Sequence, residues 1–86
     1  MKELPGWSAE KASIRRQFIF PSFPDALAFV VRVGFVAESA DHHPDLTISH
    51  KTVTVTYSTH SEGGVTAKDF AGAQSAGDIA RTLGGG

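Results

Sequence analysis

The sequence predicts an α+β domain: a four-stranded antiparallel sheet with helices packed on one face, in the order β-β-α-β-β-α. Three observations carry this. Residues 14–20 and 52–58 alternate apolar and polar side chains with a period of two, as half-buried strands do. Two later segments open with capping signals, Ser22 with Asp25 three residues on and Thr66 with Asp69 three residues on. Short polar connections allow a hairpin on either side of the first helix, which is the simplest way to order four strands around it.

The elements follow in turn. Pro5-Gly6 reads as a turn, and residues 7–20 divide into two short strands joined through residues 9–13. In the second, Ile14, Arg16, Phe18 and Phe20 share one side, with Arg15, Gln17 and Ile19 on the other. Trp7 is expected to cover one end of the core. A helix is expected over 22–40, with Ser22 as cap and Pro24 in the first turn, where a missing N–H is harmless. Its stripe Ala26, Phe29, Val30, Val33 and Ala37 suits a core. Yet Leu27, Val31, Phe35 and Val36 point in other directions, and a helix that is apolar nearly all round is covered on more than one side. The expectation is a helix that meets the sheet with one face and other subunits with the other.

Pro44 keeps His43 out of the α region and ends that helix. Leu46-Thr47-Ile48-Ser49 forms the third strand and His50-Lys51 an exposed hairpin tip. In the fourth strand Val53, Val55 and Tyr57 face one way and Thr52, Thr54, Thr56 and Ser58 the other. That second, polar face of the sheet is left open, to solvent or to a ligand. Gly63-Gly64 turns the chain into a last helix running to about Leu83, with Phe70, Ala73, Gly77 and Ala80 as its buried stripe.

Bulk properties narrow the function. Eighty-six residues make one domain, with residues 1–5 and 84–86 expected to fray. A chain of this size buries only about 60% of the surface its unfolded form exposes, which favours oligomerisation. Cysteine is absent, which removes disulfides and thiolate metal ligands. The net charge of −1, with both signs interspersed, offers no footprint for nucleic acid. No apolar run suits a membrane span or a signal peptide, so a soluble, cytoplasmic protein is expected.

The chemistry concentrates in Glu38-Ser39-Ala40-Asp41-His42-His43-Pro44-Asp45, and in Ser58-Thr59-His60-Ser61-Glu62. Histidine is the side chain that exchanges protons near neutrality. His42 and His43 are adjacent and diverge in extended chain, so they have different tasks. A hairpin tipped at His50-Lys51 brings residue 60 back level with the low forties, so His42, His43 and His60 can line one pocket. Capping or surface roles at element ends are the plainer alternative for each. A metal is not expected: the i, i+4 histidine spacing of helical metal sites is missing, and side chains of extended neighbours do not converge. What remains is metal-free acid–base chemistry. Asp69 either completes the last cap or orients His60, and Glu38 reads as a solvated helix-end carboxylate rather than a base.

The run Arg16-Gln17-Phe18-Ile19-Phe20, Phe23, Ala26, Phe29, Ala37-Glu38, Asp41-His42-His43-Pro44, Ser58-Thr59-His60 and Gly64-Val65-Thr66 with Asp69 resembles the pterin-4a-carbinolamine dehydratases, over nearly the whole chain from Gly6-Trp7. The resemblance implies loss of water from a 4a-hydroxytetrahydropterin to give the quinonoid dihydropterin, in tetrahydrobiopterin recycling, with no metal or cofactor. It implies His42 and His60 as the acid–base pair and His43 as a residue that chiefly holds the pterin. His42, His43 and Pro44 together with Thr59, His60, Ser61 and Glu62 match the pterin-contacting stretches; Asp69 matches an aspartate that supports His60, with Glu38 and Asp41 as further supporting groups. A homodimer or homotetramer, assembled through helix 22–40 and a sheet edge, is implied, with an aromatic amino acid hydroxylase as a candidate partner. Members of the family also act as dimerisation or assembly partners of other proteins, which is the alternative function. Two departures stand out. Leu46 replaces an aromatic residue common in relatives, and only five residues precede Gly6-Trp7 where many relatives carry an additional helix.

Overall fold

The computed structural model describes residues 4–59 and 64–86. The elements are β1 (Ser8–Glu10), β2 (Ser13–Ile19), α1 (Phe23–Ala40), β3 (Asp45–Ser49), β4 (Thr52–Tyr57) and α2 (Ala67–Thr82). All strand pairs are antiparallel, in the spatial order β1-β2-β4-β3. The two hairpins, β1-β2 and β3-β4, are joined by α1, so that β4 inserts between β2 and β3. The expected element order and sheet are therefore present.

Register decides which face is buried. Ile14 lies opposite Tyr57, Arg16 opposite Val55 and Phe18 opposite Val53, and on the other side of β4 Leu46 meets Val55 and Ile48 meets Val53. A period of two then sends Ile14, Phe18, Val53, Val55 and Tyr57 to the helix side, where all are buried. Arg15, Gln17, Thr47 and Ser49 are exposed on the opposite face. Phe18 and Phe20 close on Phe29 of α1 at ring separations of 4.9 and 4.8 Å, and each fully buried ring is worth about 1.5–3 kcal/mol. Trp7 seals one end, edge-on to Phe18 at 6.0 Å.

Local chemistry sets the ends of α1. The Ser22 hydroxyl accepts from the Asp25 N–H at 3.2 Å and donates to the Asp25 carboxylate at 2.7 Å. At the other end Asp41 takes the left-handed conformation, φ 52° and ψ 42°. Its N–H then bonds the Glu38 carbonyl and the His42 N–H bonds the Ala37 carbonyl. This is the paired-bond helix stop that glycine or asparagine usually supplies.

The structure corrects two sequence expectations. The buried stripe of α2 is Asp69, Ala73, Ala76 and Ala80, with Phe70 on the exposed side. Ala73 and Ala80 are buried as expected, while Asp69 and Ala76 take the places of Phe70 and Gly77, because the Asp69 carboxylate finds partners beneath the helix. The triglycine tail, expected to fray, instead returns to the sheet: Gly86 exchanges two 3.1 Å backbone hydrogen bonds with Ile19, and the Gly85 N–H bonds the Ala80 carbonyl at 2.8 Å. Glycine is what permits this, since a Cβ on Gly85 would sit 2.3 Å from the Phe20 ring.

Candidate active site

The site is built where the end of α1, the end of β4 and the start of α2 meet. The left-handed turn at Asp41 throws His42 back toward the sheet instead of out along the helix axis. Its ring lies near parallel to Tyr57, with 5.9 Å between centroids and 20° between planes. Its Nε2 is 2.6 Å from Oδ1 of Asp69, and the His42 side chain is only 13% exposed.

Asp69 itself is fully buried and fully bonded. Oδ1 faces His42, and Oδ2 accepts from the Thr59 hydroxyl at 2.7 Å and the Thr66 N–H at 2.9 Å. The last of these bonds completes the capping box of α2. Burial by itself would push the Asp69 carboxyl up. The Thr66 N–H, the Thr59 hydroxyl and His42 more than offset it and hold the group below its ordinary value. An ionised carboxylate only accepts, so His42 donates through Nε2.

His43 goes the other way. It is 58% exposed and bonds the Glu38 carboxylate, itself 81% exposed, at 2.9 Å. The expected divergence of the two neighbours is therefore realised. Pro44 is half-buried just behind them, and Asp41 is exposed, serving as the helix stop. Thr59 is buried, with its N–H and C=O both paired to Gly64, at 3.1 and 3.2 Å. Its hydroxyl points inward to Asp69 rather than outward. His60, Ser61 and Glu62 lie outside the described residues. Of the two readings open for Asp69, the cap is present; its histidine partner among the described residues is His42.

A cleft of about 160 Å³ opens beside His42, between the C-terminal half of α1 and the first turns of α2. Ala37, Ala40, Tyr57, Lys68 and Gly72 line it. Burial and the nearby Asp69 charge push the Tyr57 hydroxyl up to about 12, so it remains a neutral donor near neutrality. Among the described residues no three histidine or carboxylate side chains gather as a metal site.

Four features were missed from the sequence: the His42–Asp69 pair, the Tyr57 stack, Thr66 as a hydroxyl partner, and Gly72 beneath Tyr57. A fifth, the inward turn of the Thr59 hydroxyl, had a usable signal. The alternation that turns Val53, Val55 and Tyr57 inward also turns Thr59 inward, toward the residue that caps α2.

Comparison with known proteins shows the family. A family profile described as pterin 4 alpha carbinolamine dehydratase matches residues 1–79. A protein of Roseiflexus castenholzii named "Putative pterin-4-alpha-carbinolamine dehydratase" is 53% identical over 68 residues, 79% of this chain and 73% of that one. The crystal structure of a transcriptional coactivator/pterin dehydratase from Brucella melitensis superposes with a TM-score of 0.87 at 36% identity, over 91% of this chain and 85% of its own. A pterin dehydratase-like RuBisCO assembly factor of the alpha-carboxysome shares the fold at 16% identity, with a TM-score of 0.71 over 85% and 84% of the two chains. With the profile spanning nearly all of the sequence and the histidine-bearing helix end built as described, the chain belongs to the pterin-4a-carbinolamine dehydratase family.

Proposed function

We propose that this chain catalyses the dehydration of a 4a-hydroxytetrahydropterin to the quinonoid dihydropterin and water. The observation that carries the proposal is the 2.6 Å bond between His42 and the buried Asp69 at the edge of a cleft. In the reaction the C4a–O bond breaks and the hydroxyl leaves as water after receiving a proton. N5 gives up its proton, and its electron pair forms the N5–C4a double bond. No electrons are gained or lost overall, so two proton transfers suffice and no redox cofactor is required.

A histidine backed by an ionised carboxylate suits either transfer: Nδ1 takes a proton as a base, and Asp69 stabilises the imidazolium that results. His60, next in the chain to Thr59, is the proposed counterpart of His42. The exposed His43, steadied by Glu38, is proposed to hold the pterin. Pro44, Ser61 and Glu62 are proposed as further pterin contacts, and the physiological setting as cytoplasmic tetrahydrobiopterin recycling beside an aromatic amino acid hydroxylase.

A homo-oligomer is part of the proposal. Phe23, Leu27, Val31 and Phe35 recur every four residues on the side of α1 turned from the sheet, all exposed, Phe35 to 74%. We take such a stripe as the contact surface, and among the described residues no strand pairs with the outer edge of β3. The same stripe favours the second reading, in which the chain serves as a non-enzymatic dimerisation or assembly partner of another protein.

One experiment separates the two. Freshly generated 4a-carbinolamine is mixed with the parent, His42→Ala and His60→Ala proteins, and dehydration is followed while sedimentation reports the assembly. The expected result is acceleration by the parent, a loss of about 10²–10⁴-fold in each variant, and the same multi-chain size throughout. A parent rate equal to that of buffer ends the enzyme reading, and sedimentation as a single chain ends the oligomer.

A further inference from the structure

The contact between the Thr59 and Thr66 hydroxyls can run in either direction by geometry, and the bonds around Asp69 decide it. The Thr59 hydroxyl has a single proton, and at 2.7 Å from Oδ2 of an ionised carboxylate that proton goes to Asp69. The 2.9 Å contact between the Thr59 and Thr66 hydroxyls therefore has Thr66 as donor. Thr66 Oγ1 in turn accepts from the Lys68 N–H at 3.3 Å. A one-way chain of donors thus runs from the first turn of α2 through Thr66 and Thr59 into Asp69, and it ends on the oxygen that His42 does not use.

Thr59 is held in this arrangement. Its backbone is held on both sides by Gly64, its side chain is buried, and a β-branched residue has few rotamers to choose from. With the hydroxyl spent inside the protein, it is not available to a ligand. That is a different role from the substrate contact that the family resemblance implies.

We infer that Thr59 is a positioning residue: its buried hydroxyl, driven by Thr66, keeps Asp69 ionised and aimed, so that His42 is held as the Nε2–H tautomer with Nδ1 free for the substrate. The kinetic consequence rests on the dehydratase reading; the tautomer does not.

The test uses the full chain. Nitrogen-15 NMR of the imidazoles reads the neutral His42 tautomer directly, and the parent is expected to show Nε2 protonated and Nδ1 bare. Thr59→Val removes the hydroxyl while keeping the shape. It is expected to mix the two tautomers and to lower kcat about ten- to hundredfold, the range that a hydrogen bond to a charged group spans, with KM moved less than about twofold. Thr59→Ser restores the hydroxyl and is expected to return both the tautomer and kcat to within a few-fold of the parent. A parent already protonated at Nδ1 overturns the inference without recourse to any variant. So does a valine variant with the parent's tautomer, a valine variant that raises KM at constant kcat, or a serine variant as impaired as valine. A protein that shows the fixed tautomer but no dehydration would sink the proposed reaction and leave the positioning role standing.

Discussion

His42 and His43 are neighbours in sequence, each within hydrogen-bond distance of a carboxylate, and the two pairs differ in almost every physical respect. His43–Glu38 spans 2.9 Å between two side chains that are mostly in water. Such pairs contribute about 0–1 kcal/mol, because solvent screens them and both chains lose freedom. His42–Asp69 spans 2.6 Å and ends on a carboxylate with no solvent exposure, which two other donors already hold. Removing one member there leaves buried groups without partners, which is costly. The lesson is that an ion pair matters through what its removal would strand, and the inner pair would strand three donors.

The widest expected gap between the pairs is in stability. Asp69→Ala removes the acceptor of Thr59, Thr66 and His42 at once and is expected to cost about 3–5 kcal/mol in urea unfolding. Glu38→Ala should stay within about 0.5 kcal/mol of the parent. Equal losses in the two variants would mean that the inner network is not the anchor described here.

A smaller effect is expected from the ring that flanks the inner pair. A Cβ at position 72 would lie 2.5 Å from the Tyr57 ring, so Gly72→Ala must displace the ring that stacks on His42 or the helix beside it. Overpacking of this kind costs about 1–3 kcal/mol. It should lower the thermal midpoint and shift the His42 ring resonances while leaving those of His43 in place.

The pH dependence sharpens the comparison least but separates the groups cleanly. The folded Asp69 carboxyl lies below its ordinary value of 3.8, so its contribution is complete above that pH and fades as the folded form is protonated below it. The acid limb of unfolding should therefore flatten in Asp69→Asn. Tyr57 works in the opposite sense: raised from 10.0 to about 12, its contribution is complete below pH 10 and is lost as the pH climbs toward 12. Tyr57→Phe should remove that alkaline component.

How far the sequence predicted this site depends on the range of each signal. The cap at Ser22, the stop before Pro44 and the alternation at Val53, Val55 and Tyr57 are set by neighbours a few residues apart, and all stand in the structure. The same holds for the stripe Ala26, Phe29, Val33 and Ala37, with Val30 half-buried beside them. The expectations that failed depend on distant partners. The capping box announces that Asp69 bonds Thr66 but not that Asp69 is buried in place of Phe70, because its other partners are a threonine ten residues back and a histidine beyond the end of α1. Nothing near Gly85 reveals the Phe20 ring on which it lies. For the site, the segment holding the two histidines and their divergence was legible, whereas the choice of which one goes inside was not, since it hangs on a backbone angle at Asp41 that aspartate adopts only occasionally.

That angle has a consequence for the evolution and engineering of the site. Because a single left-handed residue closes α1, the identity of the internal imidazole is a matter of counting: it is whichever side chain comes next. Adding or deleting one position between Ala37 and Asp41 would rotate the exit of the helix by about 100° and offer the neighbouring ring, or none, to the carboxylate below. The length of this helix is therefore as much a determinant of the chemistry as the histidines themselves.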